Sequence, residues 1–174
     1  MHAQYQIPLT LVDQCNLIVS RVSLNAISLE LIKYLINAGV NPRYNNDEFL
    51  INSCRFCDIK TIAYLIDDCG CNINASSSKA LVNAFIFDRT DAAKFLLDSN
   101  IKITPDVLET ACLNKNHAKL LLDFNVDINL IAYHCITTKQ ITQQNKIFET
   151  INFLIDAGAD LNLAFKINYK NQIN

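Results

Sequence analysis

Five segments of this chain end in the same way, and that recurrence constrains the fold more tightly than any other feature. In residues 150–162, TINFLIDAGADLN, the apolar Ile151, Leu154 and Ile155 fall at the i, i+3, i+4 spacing of one helical face. Gly158 then supplies the residue that turns left-handed where a helix stops. The following Ala-Asp-Leu-Asn has the pattern of a short turn between stacked helices. Ile32, Leu35 and Ile36 repeat the stripe, with Gly39 as the stop and Pro42 as the break after it. Ile62, Leu65 and Ile66 repeat it before Gly70, with one extra residue around Cys69. Residues 92–104 (AAKFLLDSNIKIT) and 117–129 (HAKLLLDFNVDIN) put Asn100 and Asn125 where glycine stands elsewhere. Asparagine is the next most tolerant residue of left-handed backbone, so both are expected to end helices in that conformation.

The central leucines Leu35, Leu65, Leu96, Leu121 and Leu154 follow one another at steps of 30, 31, 25 and 33 residues. A step of that size, holding two helices and a loop, marks a solenoid of helical pairs. Each step contains a second apolar segment free of glycine and proline: residues 48–56 (EFLINSCRF), 79–87 (KALVNAFIF), 107–113 (VLETACL) and 130–136 (LIAYHCI). These read as the first helix of each pair. Residues 8–21 predict an earlier helix with Pro8 in its first turn, and Ser28 predicts a cap for the helix that carries Leu35. This end pair is irregular, as a capping unit is. An insertion near residues 137–146 (TTKQITQQNK) enters the last pair, and the tail, residues 165–174, could start a further finger or a cap, or fray, with fraying past Asn168 the favoured reading. The expected organisation is one repeat domain over residues 1–168, with units near 8–41, 42–74, 75–104, 105–129 and 130–162, and a tail at 169–174.

Composition bounds the function. A chain of 174 residues that is 51% hydrophobic and 18% charged is too apolar to stay disordered and suits one domain. A net charge of -2 and a pI near 5.9 leave no basic footprint, so binding of nucleic acid by phosphate neutralisation is not expected. No apolar run approaches the roughly 18 residues of a membrane helix, and the N-terminal MHAQYQIPLT lacks a signal pattern. A cytoplasmic protein with no membrane partner is expected. The 7 cysteines, an odd number, lie in apolar segments and read as reduced thiols.

The paired-helix period, the ending FLIDAGADLN at residues 153–162 and small residues in the first helices (Ser53 and Cys54, Ala84, Ala111 and Cys112) resemble the ankyrin repeat. The resemblance spans roughly residues 25–162 and implies an all-α, ankyrin-type solenoid of about five helix-turn-helix repeats with atypical capping ends. Two hallmarks of the family are absent. The Thr-Pro-Leu-His tetrad is not intact, since Thr104-Pro105 sits about two residues early, where it simply starts a helix. The Gly-His turn is replaced by Cys57-Asp58 and by Asp88-Arg89. Arrays this divergent resemble ankyrin proteins that large DNA viruses of amoebae and some intracellular bacteria encode in numbers.

The resemblance implies a non-catalytic scaffold or adaptor that grips a partner protein, a host protein if the chain is viral, on the concave surface of first helices and turns. Carried over position by position, that surface comprises Arg43, Tyr44, Asn45 and Asp47, then Arg55 and Phe56. The next unit offers Ala75, Ser76 and Ser78, then Ile86 and Phe87. Phe56 and Phe87 take the same place in neighbouring repeats; two readings stand, an aromatic anchor patch beside Arg43, Tyr44 and Arg55, or rings turned inward to fill the missing turns. A monomer is expected. Other roles consistent with the sequence are a regulatory or targeting subunit of an enzyme complex, and a divergent repeat copy with no present partner.

Residue patterns that carry chemistry are weak. No phosphate loop or paired-carboxylate motif occurs, so neither an enzyme nor a cofactor is expected. His117 near Cys112, and His134 next to Cys135, lack an orienting third group, and adjacent helical residues point about 100° apart. Asp67, Asp98, Asp123 and Asp156 recur behind the central leucines, as a solvated helix face does, rather than as a calcium ladder. Cys54 and Cys57 with Cys69 and Cys71 invite a zinc reading, but a helix of about ten residues, roughly 15 Å, separates the two pairs. The purified protein is therefore expected to carry no stoichiometric zinc by elemental analysis; a content near one ion per chain would overturn this reading.

Overall fold

A computed structural model describes residues 29–138 and 141–171. Among these residues there are ten α-helices, a single 3-10 turn and no strand. The expected helix over residues 8–21 and the cap at Ser28 lie outside the described residues. The chain forms two compact units that divide in sequence between Lys102 and Ile103.

The first unit contains α1 (Leu29–Asn37), α2 (Tyr44–Phe56), α3 (Ile59–Asp67), α4 (Ala75–Ile86) and α5 (Thr90–Asp98). Within each pair α2 packs on α3 and α4 on α5; between pairs α2 packs on α4 and α3 on α5. The core forms because the apolar stripes face each other across these contacts. Ile32, Leu50, Ile62, Leu65, Leu81 and Leu96 are fully buried. Ser53 and Ala84, also fully buried, are small enough to let α2 and α4 approach closely, and the Ser53 hydroxyl is satisfied by donating to the Phe49 carbonyl at 2.8 Å.

The second unit contains α6 (Pro105–Ala111), α7 (Lys115–Asp123), α8 (Ile128–Thr137), the 3-10 turn (Ile141–Gln143), α9 (Gln144–Asp156) and α10 (Leu161–Asn171). Here α6 packs on α8 and α8 on α10, while α7 packs on α9. Pro105 occupies the first turn of α6, where its missing N–H costs nothing. Val107, Leu121, Ile131 and Leu154 are fully buried. The insertion is absorbed by the 3-10 turn and by an early start to α9, which has 13 residues against 9 in α3, α5 and α7. Ile155, expected within the apolar stripe, is 43% exposed. The tail also departs from expectation. It does not fray at Asn168 but runs as α10 to Asn171, because α8 offers it a face to pack on and Ala164 is buried there.

The helix stops explain the spacing of the central leucines. Gly39, Gly70, Asn100, Asn125 and Gly158 all have positive φ, between 58° and 103°. In each case the N–H of the next residue turns back to a central leucine carbonyl: Val40 to Leu35, Cys71 to Leu65, Ile101 to Leu96, Val126 to Leu121 and Ala159 to Leu154, at 2.9 to 3.2 Å. The left-handed residue thus satisfies a carbonyl that the helix end would leave unpaired. The turn after it is fixed by a side chain: Asn41, Asn72, Asp127 and Asp160 each accept from the backbone N–H two residues on, at 2.8 to 3.0 Å.

A feature not expected from the sequence opens α2 and α4. Asn45, Asn46 and Asp47 have φ of 51°, 58° and 60°, and Ser76, Ser77 and Ser78, each 31 residues later, have φ of 49°, 59° and 58°. Each triplet is a left-handed turn that feeds into right-handed helix at Glu48 and at Lys79. Asp88 (φ 53°) takes the place of glycine between α4 and α5.

Left-handed backbone costs an L-residue with a Cβ about 1–2 kcal/mol, less for asparagine and least for glycine. Asn125→Ala is accordingly expected to lower the unfolding free energy by about 1 kcal/mol in urea titrations, and Asn125→Gly by no more than about 0.5 kcal/mol. Equal losses in the two variants would show that the turn does not depend on backbone conformation.

Candidate functional site

Between α2 and α4 the surface opens into a groove of about 410 Å³. Asn45, Asn46, Glu48, Asn52 and Arg55 line it from α2, and Ser76, Lys79 and Asn83 from α4. The 31-residue offset matches Glu48 with Lys79 and Asn52 with Asn83, so both repeats supply polar groups at equivalent positions. Three hydrogen bonds set the spacing of the two pairs. Asn46 Nδ2 donates to Ser76 Oγ at 2.8 Å, Asn83 Nδ2 to the Ile51 carbonyl at 2.9 Å, and Arg89 Nη2 to the Cys57 carbonyl at 2.6 Å. Arg89 is itself oriented by Asp91, whose carboxyl is held below its ordinary range by the hydrogen bond from Arg89.

Arg55 is the most unusual group of this face. Its guanidinium carbon lies 4.2 Å from the Phe87 ring centre and 5.0 Å from that of Phe56, and the two rings meet edge to face at 5.2 Å. Arg55 Nε is buried and has no hydrogen-bond partner. Such an unmet donor costs about 1–3 kcal/mol. The ring contacts, worth about 0.5–2 kcal/mol each, offset part of that cost.

The other residues expected at the surface divide into two groups. Tyr44 and Ile86 are 48% and 60% exposed, Phe87 is 37% exposed, and Phe56 is half-buried. The two rings therefore neither project freely nor fill the core; each leans on the other and on Arg55. Arg43 and Asn45 are exposed, with Asn45 bonded to Glu48. Asp47, Ala75 and Ser78 do not belong to the surface: they are 4%, 3% and 0% exposed, and Asp47 and Ser78 each close a left-handed turn. Asp47 accepts from Arg43 Nε at 3.4 Å, and Ser78 bonds Asn74. Asn46, Glu48, Asn52, Lys79 and Asn83 were missed in the sequence; the signal that finds them is the same 31-residue offset applied to polar rather than apolar positions.

The cysteines are placed for packing. Cys54, Cys57, Cys71, Cys112 and Cys135 are buried. Burial pushes the Cys71 thiol up to about 12, with the Asp47 carboxylate adding to the effect, and burial likewise raises Cys54. Cys112, which caps the C-terminal end of α6, and Cys135 in α8 have their Sγ atoms 2.6 Å apart, and this contact, followed by burial, raises Cys112. Thiols held this far from ionisation are poor nucleophiles. No three His, Cys, Asp or Glu side chains gather as metal ligands would among the described residues.

Comparison with known families finds one match: a family model described as ankyrin repeats (3 copies) covers residues 20–107. Those residues contain α1 to α5 and the whole lining of the groove. No curated protein and no solved structure matches the chain.

His134 on α8 is half-buried, with its ring edge-on to Tyr133 at 5.2 Å. Burial holds its pKa below the ordinary imidazole range, and the charge of Glu109 acts in the opposite direction. The unfolded chain therefore binds a proton more readily than the folded one. The stability this contributes is present above about pH 6.5 and is lost as pH falls. In urea titrations between pH 7 and pH 5.5, above the carboxylate range, stability is expected to decline, and His134→Gln to remove part of that decline. The part removed is no steeper than about 1.4 kcal/mol per pH unit, the limit for one proton. An identical slope in the variant would contradict the assignment.

Proposed function

The chain belongs to the ankyrin repeat family, whose repeats are in general protein–protein interaction modules, and from this membership we infer a non-catalytic adaptor that holds a partner protein on the α2–α4 face. The observation that carries this reading is the grouping of exposed Ile86 and Phe87 with an arginine packed against the Phe56 and Phe87 rings at one end of a groove, with exposed Tyr44 on the same helix at the other end. Aromatic side chains and arginine are the groups that anchor protein interfaces, because they bring large contact area with little rotamer freedom to lose. The reading takes the partner to be a cytoplasmic protein, from the host if the chain is viral, and the adaptor to be a monomer. The net charge of -2 supports a protein partner over nucleic acid. No helix among the described residues is long and apolar enough to cross a membrane.

A photo-crosslinking amino acid placed at Tyr44 or at Ile86, compared with one at the exposed Lys94 on α5, tests the face directly in cell lysate. Adducts of one defined mass are expected from the first two positions and not from Lys94. Replacing Phe56 and Phe87 together by alanine is then expected to weaken that adduct's complex by about 2 kcal/mol or more, as truncated anchors do. Adducts that form equally from Lys94, or a double variant that loses fold stability while keeping the affinity, would overturn the placement.

A further inference from the structure

Arg55 stands in the groove with its charge unmatched. Among the described residues the ion pairs join Arg43 to Asp47 and Arg89 to Asp91, and neither Arg55 nor Lys79, the two cations of the groove, has a carboxylate partner. The rings of Phe56 and Phe87 hold the guanidinium plane in place, so little side-chain freedom remains to be lost when a ligand arrives. Nε is buried, whereas the terminal Nη groups are not among the buried unpaired atoms and are the donors a ligand in the groove can reach.

Resting on the reading that this face takes a protein, we propose that the groove is a receptor for one carboxylate side chain of the partner, an aspartate or glutamate in an extended segment, held by the Arg55 fork with Lys79 as the second charge. The two terminal Nη–H groups of arginine, met end-on, match the two oxygens of a carboxylate. Amide side chains fill much of the remaining lining. Glu48 also lines the groove. Its negative charge disfavours a phosphate, which carries about two charges, more than it disfavours a carboxylate, which carries one. The exposed Ile86, level with Arg55 at the same end of the groove, gives an apolar neighbour in the same segment a place to rest.

The test is a random peptide library displayed on phage and selected on the full chain, with the selected peptides then synthesised. Binders are expected to carry Asp or Glu. Changing that residue to its amide should weaken binding at least 10-fold, and Arg55→Gln should cost the acidic peptide the same factor while barely affecting the amide peptide. Arg55→Lys, which keeps the charge but not the fork, should fall between. In the unaltered protein the Arg55 guanidinium Nη–H resonances should move downfield when the acidic peptide is added, a result that does not depend on any variant folding. Binders without an acidic residue, indifference to the peptide's amide change, or a library that yields no binder would overturn the carboxylate assignment. So would a phosphoserine peptide that binds more tightly than its glutamate counterpart. Peptides that shift α2 and α4 amide resonances without needing an acid leave the binding face standing; peptides that shift only other helices remove the face as well.

Discussion

A two-helix unit of about thirty residues has more apolar surface than its own two helices can cover, and the contact between equivalent positions of neighbouring units is what resolves this. Leu50 and Leu81 in the first unit, and Leu108 and Ile131 in the second, recur at one position of the first helices, and all are nearly or fully buried. The second helices do the same with Leu65 and Leu96, and with Leu121 and Leu154. At about 25 cal/mol per Å² of apolar surface, this repeated burial is the largest favourable term available, and everything on the surface is positioned by it.

The polar features follow from that packing. Once α2 and α4 lie side by side, groups 31 residues apart become neighbours, and the bond from Asn83 to the Ile51 carbonyl and that from Arg89 to the Cys57 carbonyl span the junction. The left-handed triplets Asn45–Asp47 and Ser76–Ser78 start the right-handed part of each first helix at the same place in the two repeats. They also turn Asp47 inward, toward Arg43 and Cys71; Arg55, at the far end of α2, has no carboxylate partner among the described residues. The groove is thus a product of packing geometry and of two cations, Arg55 and Lys79, without a carboxylate partner among the described residues.

The sequence reveals the second helices and their stops because those signals are local. A stripe at helical spacing followed by Gly or Asn is readable within ten residues, and Asn100 and Asn125 adopt the left-handed backbone expected of them. The first helices were placed to within a few residues for the same reason. What was not legible depends on neighbours. Nothing in Asn-Asn-Asp or Ser-Ser-Ser announces three successive left-handed residues, since the cost is met by contacts with the adjoining turn, such as Asn46 to Ser76. The orientation of Phe56 and Phe87 stayed open because each ring is positioned by the other, and α10 was missed because its stability comes from α8 rather than from its own residues. Half of the candidate site was legible, the arginine and aromatic half; the amide half appears only when polar positions are compared across the repeat.

Amide hydrogen exchange of an Ile62→Val variant, read by mass spectrometry, addresses the mutual burial most directly. The change removes one methylene from the fully buried Ile62 on α3 and costs about 0.5–1.5 kcal/mol, little enough to leave the chain folded. Because α3 packs on α5 and α2 on α4, exchange should quicken in α4 and α5 as well as in α2 and α3. Quickening confined to α2 and α3, with α4 and α5 as protected as before, would mean that each pair stands alone.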